Sequence, residues 1–364
     1  MRNLLFQPAK LRELTLANRI VVAPMCQFRA VDGDATDWHT VHLGHLALSG
    51  AGLLLLEATG VEPRGRISHQ CLGLYSDSNE EALRKVLAVV RQFSAMPIGV
   101  QLGHAGRKAS MMNPVNGKGH LSIEDGGWET IAPSACTFAP NWPMPRAMDR
   151  RDMDEVVEAF VQATRRCERL GIDLIEIHAA HGYLLSSFLS PIANRREDAY
   201  GGSWANRMRF PLEVIAAVRE AWPADKPLGI RFNGTDWDER GLDADDAVAF
   251  AMELARIGCD YVDVSSGGNC LANIPTGPGY QVPFAARVKA ETGLPTMAVG
   301  LIRQPEHAEG ILAAGQADFV ALGRAMLNDP RWPWHAAEHF GIPMEVPLPY
   351  RRAATKADTP NFGR

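Results

Sequence analysis

The sequence predicts an α/β fold, a (β/α)8 TIM barrel, and three observations carry that prediction. From about residue 19 onward, eight short apolar runs alternate with amphipathic stretches, which is the strand-and-helix count of this barrel. Several runs are almost continuously apolar (LLLLEATG, IGVQLG, LIEIH and FVALG), as parallel strands covered on both faces must be. A doubly wound open sheet shares the alternation. No GxGxxG opens the first strand–helix turn, however, which weighs against the dinucleotide-binding form of that sheet.

The strands are predicted at 19–25, 52–60, 97–103, 173–178, 227–232, 261–265, 295–300 and 319–323. Ser78-Asn79-Glu80-Glu81 reads as an N-cap with early acids, and ALRKVLAVVRQF continues that helix with apolar positions at 3.6-residue spacing. Further helices are predicted at 152–170, 208–222, 243–257, 283–292 and 305–314. The stretch 38–56 contains no Asp, Glu, Lys or Arg. Its His39, His42, His45 and Gly50-Ala51-Gly52 break nevertheless make it a helix, a turn and a strand rather than a membrane span. Two connections, 105–150 after the third strand and 179–206 after the fourth, exceed the ~12–15 residues beyond which bare loops are uncommon. In a barrel both rise from the C-terminal face, where active sites lie. The chain 1–364 reads as one barrel unit with a Pro- and Arg-rich tail at 343–364. That tail is a disordered end, a cap, or an arm reaching a neighbouring subunit.

Composition narrows the function. The chain carries 37 Lys+Arg against 42 Asp+Glu and no long basic block, so it lacks the footprint of a nucleic-acid binder. A hydrophobic fraction of 46% is ample to offset ordering entropy, which excludes a disordered scaffold. Lys10, Arg12, Glu13 and Arg19 interrupt any signal-peptide core, so neither secretion nor a membrane is expected. The cysteines at 26, 71, 136, 167, 259 and 270 show no CxxC or metal-type spacing, which suits free thiols in a reducing cytoplasm.

Polar groups collect where strands end. Gly300 and Gly323-Arg324 follow the seventh and eighth strands, where glycine backbone N–H groups and an arginine commonly hold a phosphate. The alternative is two strand-ending glycines and a surface cation. His178-Ala179-Ala180-His181-Gly182-Tyr183 brings two imidazoles and a phenol together. They could ligate a metal, although the further ligand that zinc needs is not evident. They could instead polarise a carbonyl oxygen with Tyr183 as proton donor, or be structural. Gln101 and Arg231 suit a flat heterocycle: a primary amide matches a uracil-like edge, and a cation stabilises negative charge on the reduced isoalloxazine of a flavin. Cys26 is a packing residue unless its thiolate is favoured. No Lys falls in a strand-end segment, Lys108 in HAGRK being the nearest, so a Schiff-base aldolase is disfavoured.

Together ANRIVVAPMCQF (17–28), GAGLLLLEATGVEPRGR (50–66), QLGHAGRKAS (101–110), GWETIAPSA (127–135), EIHAAHGYLLSSFLSPIANRREDAYGGSWANRMRFPLEV (176–214) and ALGRAMLNDPRWPWHAA (321–337) resemble the Old Yellow Enzyme family of FMN-dependent ene-reductases. The likeness is to the bacterial branch that carries a cysteine beside the flavin. It implies that Ala23, Pro24, Met25 and Cys26 line FMN, with the Cys26 sulfur near the N5/O4 edge. Ala58 and Gln101 would contact the ring, Arg231 its N1/O2 side, and Gly300, Gly323 and Arg324 the phosphate. His178 and His181 would bind the substrate carbonyl oxygen, and Tyr183 would donate a proton.

One position departs from that pattern. The branch usually carries Tyr where this chain has Phe28, so the substrate oxygen loses a donor, at a cost of ~2–4 kcal/mol if the donor acts at the transition state. In similar proteins a C-terminal arginine enters the partner subunit's active site, and Arg352 in Pro349-Tyr350-Arg351-Arg352 matches it. The reaction implied is ping-pong hydride transfer. NADPH, or NADH, delivers hydride to FMN N5 and leaves. An α,β-unsaturated carbonyl compound then takes the hydride at the same face, as would a maleimide, nitro compound or quinone in xenobiotic reduction. A homodimer or homotetramer is the implied assembly. The competing readings are a flavin-free phosphate-binding isomerase or lyase and a non-catalytic binding protein on the same scaffold.

Overall fold

The structure is a computed structural model that describes residues 3–114, 117 and 119–352. Each predicted apolar run contains a strand: β1 Ile20–Val22, β2 Leu53–Gly60, β3 Ile98–Gly103, β4 Leu174–Ala179, β5 Leu228–Asn233, β6 Tyr261–Ser265, β7 Thr296–Ala298 and β8 Phe319–Leu322. They pair in parallel, in chain order, and close on themselves, with β1 bonded to both β2 and β8. This is the predicted (β/α)8 barrel. β1 stops short of its predicted end because Pro24 has no N–H for the ladder. β7 stops before Gly300, whose φ of 120° turns the chain away.

The helices that cover the barrel are α1 Asp37–Ala47, α2 Asp77–Val90, α3 Arg150–Arg169, α4 Trp204–Ala221, α5 Ala244–Arg256, α6 Val282–Thr292, α7 Pro305–Ala313 and α8 Trp332–His339. Their starts follow cap chemistry. Asp149 accepts the Asp152 N–H at 2.9 Å, and Asp243 accepts those of Asp245 and Asp246. At α2 the cap is Ser76, which accepts the Asn79 N–H at 3.1 Å, and not the predicted Ser78. Ser78 lies inside the first turn, and its hydroxyl donates to Asp34 Oδ2 at 2.6 Å. Helix α8 and the short helices Leu184–Leu189 and Arg324–Asn328 were not legible from periodicity.

Strand alternation sorts the side chains into two cores. Val22, Leu54, Leu56, Val100, Ile175, Ile177, Ile230 and Val264 face outward into the helix layer. Val21, Leu53, Leu55, Leu174, Tyr261, Met297 and Phe319 fill the barrel's lower interior. Each buried aliphatic side chain contributes roughly 1.5–3 kcal/mol. An unpredicted antiparallel hairpin, Ala9–Leu11 with Leu14–Leu16, adds Leu11 and Leu16 to that interior cluster and closes the end where the strands begin. Gly229 leaves room for the Tyr261 ring, because a Cβ there would lie 1.9 Å from it. With the lower half packed, only the opposite end remains open to a ligand.

Candidate active site

The same period of two brings polar side chains inside, above the apolar layers. Along β4 the inward positions are Leu174, Glu176 and His178, and along β6 they are Tyr261, Asp263 and Ser265. Register then fixes the neighbours: Gln101 lies beside Glu176, His178 beside Arg231, and Arg231 beside Asp263. Past the strand ends lies a cavity of about 380 Å³, within the roughly 300–1,000 Å³ usual for small-molecule sites. Ala23, Pro24 and Met25 form one wall, His181 and Arg231 line it, and Gly300, Gly323 and Arg324 lie along its lining too. A small cleft holds Ala58, His178 and Tyr183. Gln101 is buried beneath, its Nε2 donating to Glu176 Oε1 at 2.8 Å.

The loop after β4 turns sharply. His181 has a φ of 60° and Gly182 a φ of 72°. A Cβ at Gly182 would stand 2.0 Å from the Gly268 carbonyl oxygen, so the β4 and β6 loops touch backbone to backbone. Lys108 locks them together, its Nζ donating to the carbonyls of His181 at 2.6 Å and Gly268 at 3.1 Å. Burial, followed by the neighbouring Arg107, brings Lys108 down to about 8. The rings of His178 and His181 meet edge to face with centroids 5.0 Å apart, and Tyr183 is 4.9 Å from His178.

Electrostatics sets the protonation of this group. Burial, reinforced by the Arg231 guanidinium, holds both imidazoles well below the ordinary histidine range, so both are neutral at pH 7. His178 Nδ1 accepts the Ala180 N–H at 3.2 Å, so its hydrogen sits on Nε2. His181 Nε2 lies 2.7 Å from Ser265 Oγ. The Ser265 hydroxyl can donate either to Gln281 Oε1, 3.3 Å away, or to His181 Nε2; in the second arrangement Nδ1 carries the hydrogen and is free to donate. Burial keeps the Tyr183 phenol protonated far above neutrality. A hydrogen bond to Cys71, followed by burial, pushes Cys26 well above the ordinary thiol range, so it stands as a thiol.

The site accommodates a flat, electron-accepting ring with a phosphate tail. Its wall at Ala23 and Pro24 is apolar. Arg231 lines the cavity with its Nε 3.2 Å from Asp263 Oδ2 but without an aligned acceptor. At Gly300 a side chain would be strained by the backbone conformation, and its Cβ would press to 3.2 Å from the Gln281 nitrogen. No group of three or more His, Cys, Asp or Glu among the described residues is placed to hold a metal ion. Among those residues no helix is long and apolar enough to cross a membrane.

Of the residues picked from sequence, Ala23, Pro24, Met25, His181, Arg231, Gly300, Gly323 and Arg324 share the large cavity. Ala58, His178 and Tyr183 share the adjoining cleft. Cys26 and Phe28 are half-buried against the apolar cluster of Ile67, Cys71, Ala105 and Ala109, which Ala58 and Tyr183 also touch. Arg352 is exposed, outside both. Residues 342–347 line a cleft together with 50–52 and 93–97, the segments leading into β2 and β3, and the Met344 side chain lies over Gly50, at the end of the barrel away from the site. Much of the anticipated arm, 353–364, falls outside the described residues. Glu176, Asp263 and Ser265 were not among the expected site residues, and Lys108 had been weighed only as a Schiff-base candidate. A charge inside an apolar strand run was the available signal for Glu176 and Asp263. Lys108 gave none, because its strand has ended before the side chain turns back.

A closed parallel barrel whose open end gathers a histidine pair, a half-buried arginine and a glycine-lined cavity suits an oxidoreductase of the flavin type. The chain belongs to the NADH:flavin oxidoreductase / NADH oxidase family, which it matches over residues 4–341. It is 44% identical over 354 residues to an NADPH dehydrogenase of Geobacillus thermodenitrificans, covering 97% of this chain and 99% of that one. It is 41% identical over 351 residues to the NADPH dehydrogenase of Bacillus licheniformis, covering 96% and 98%. Among solved structures, morphinone reductase superposes with a TM-score of 0.77 at 28% identity, covering 95% of this chain and 91% of that one. The Old Yellow Enzyme resemblance, the barrel and an NAD(P)H-dependent flavin oxidoreductase all stand.

Proposed function

We propose that this flavin oxidoreductase reduces the activated C=C bond of α,β-unsaturated carbonyl compounds, with maleimides, nitro compounds and quinones as further acceptors. When bound, FMN supplies the hydride carrier, loaded by NADPH (or NADH) and unloaded onto the substrate. Ala23, Pro24, Met25, Cys26 and Ala58 would line its ring, Gln101 would offer it an amide, and Arg231 would offset negative charge on it. Gly300, Gly323 and Arg324, which lie together along the cavity, would hold its phosphate.

The observation that carries the reading is the pair of imidazoles set edge to face, with centroids 5.0 Å apart, where the cavity meets the adjoining cleft. His178 offers Nε2–H, and His181, in the tautomer whose Nε2 accepts from Ser265, offers Nδ1–H to one carbonyl oxygen, drawing electron density from the β-carbon. Two cations in their place would repel one another and the adjacent Arg231. Tyr183, protonated beside His178, delivers the proton to the α-carbon. Phe28 contributes no hydroxyl, so the oxygen rests on the two histidines. Cys26, as a thiol, tunes the ring's potential rather than attacking substrate. In a homodimer or homotetramer Arg352 reaches the neighbouring site, and the six thiols stay free in a reducing cytoplasm.

Because reductant and acceptor use one face in turn, steady-state rates at varied NADPH and enone should give parallel double-reciprocal lines. A phenol mimicking the enolate should compete with the enone. Intersecting lines, together with a phenol that does not compete, would refute the reading.

A further inference from the structure

Below the histidine pair the barrel holds two carboxyl groups to which the proposed chemistry gives no task. Glu176 on β4 and Asp263 on β6 have no exposed surface. They face a single cation, Arg231 on β5, whose Nε is 3.2 Å from Asp263 Oδ2. Glu176 Oε1 accepts from Gln101 of β3 at 2.8 Å, and its Oε2 accepts from the Tyr261 hydroxyl of β6 at 3.2 Å. Both oxygens of Asp263 lack a hydrogen-bond partner. The polar and titratable groups bearing on Glu176 are therefore Gln101, Arg231, Tyr261 and Asp263, with His178 two residues along its own strand.

Charge arithmetic in this pocket does not close if both acids are ionised. Two carboxylates against one guanidinium leave a net negative charge in a dry interior, which is costly. One retained proton removes it, and a closely spaced acid pair titrates as a unit. The 3.2 Å contact to Tyr261 tolerates this, because a phenol accepts from a carboxylic acid as readily as it donates to a carboxylate. In the same direction, burial and then the Asp263 charge bring Glu176 up to about 8, while burial also raises Asp263.

We propose that Glu176 is a positioning and charge-compensating residue: it fixes the Gln101 amide and, at a pH where the acid pair has lost its shared proton, takes one back from water when the ligand beside Arg231 becomes more negative. The proposal rests on the FMN reading. Two electrons and one proton entering the ring add one negative charge. One further proton, from solvent, then binds a Glu176 carboxylate oxygen and restores the balance. Gln101 and Tyr261 keep their contacts in either state, so the amide facing the ring stays in place.

The test is redox-linked proton uptake by the holoprotein, reduced electrochemically in weak buffer, with infrared difference spectra on the same samples. Across a titration from neutral to alkaline pH, where the acid pair loses its shared proton, wild type should take up more protons per flavin than Glu176→Gln. It should also gain a protonated-carboxyl carbonyl band on reduction. At about pH 6 both differences should vanish, because Glu176 is already protonated before reduction. A variant that stays yellow and turns over enone, yet matches wild type in uptake at every pH, would overturn the inference and leave the flavin reading intact. If Glu176→Gln does not fold, the wild-type infrared arm decides: no reduction-linked carboxyl band at any pH between neutral and alkaline overturns the proposal. A wild type that binds no flavin fails the underlying reading instead.

Discussion

Replacing His178 by Ala isolates the polarising step. The ring is buried, and Nδ1 is occupied by the Ala180 N–H, so Nε2–H is the only hydrogen it can offer a substrate oxygen. The variant keeps the Cβ; a Cβ built on Gly103 would stand 3.2 Å from it, so β3 and β4 stay packed where they meet. What disappears is one preorganised donor. By analogy with oxyanion-hole donors its loss costs about 2.7–4 kcal/mol at the transition state, roughly 10²–10³ in rate. The ring contacts to His181 and Tyr183 vanish too, worth about 0.5–1.5 kcal/mol each in stability. Anaerobic stopped-flow reads the effect directly. Protein pre-reduced with NADPH is mixed with cyclohexenone, and the return of flavin absorbance gives the acceptor step alone. Flavin content, measured on the same sample, shows whether the cofactor site survived. Reoxidation at the wild-type rate in a fully loaded variant would refute the assignment.

Phe28→Tyr supplies the missing hydroxyl and should shift selectivity among enones; identical rates on every acceptor would make the departure at 28 neutral. Cys26→Ala should move the flavin midpoint potential, and an unchanged potential would leave the thiol as packing alone. Lys108→Met strands the carbonyls of His181 and Gly268, each bond to a charged group being worth about 1.5–3 kcal/mol. Phenol affinity and melting temperature should therefore both fall while flavin remains bound; the prediction fails if neither changes. The acid limb of stability should reflect histidines held neutral in the fold. Burial lowers His42 to about 4 and puts His178 and His181 well below their ordinary value. Below about pH 6.5 the unfolded chain then binds more protons than the native one. Stability from these groups is complete above that pH and is lost as pH falls toward their folded values. Urea midpoints should drop between about pH 7 and 5. A flat profile would contradict the burial assigned to them.

The barrel was legible because its strands are buried on both faces and read as unbroken apolar runs. The plug hairpin was not, since AKL and LTL are too short to show a period and owe their order to the interior they close. Helix α8, WPWHAAEH, hides behind tryptophans and a proline whose placement only tertiary packing explains. Residues at strand ends, such as Gln101, His178, Arg231 and Arg324, could be picked because barrel chemistry gathers there. Ser76 displaced Ser78 as the cap of α2 because two serines compete within one turn and the chain's approach selects between them. Lys108 escaped because only the folded β4 and β6 loops supply the carbonyls it binds.

The central claim is that side chains from distant strands assemble one site for a redox ring. The direct measurement is the visible spectrum of the purified protein, after reconstitution with FMN and gel filtration, then during anaerobic titration with NADPH and an enone. A flavin spectrum should travel with the polypeptide, bleach with NADPH and return with the enone. A colourless protein that fails to retain added FMN would contradict it.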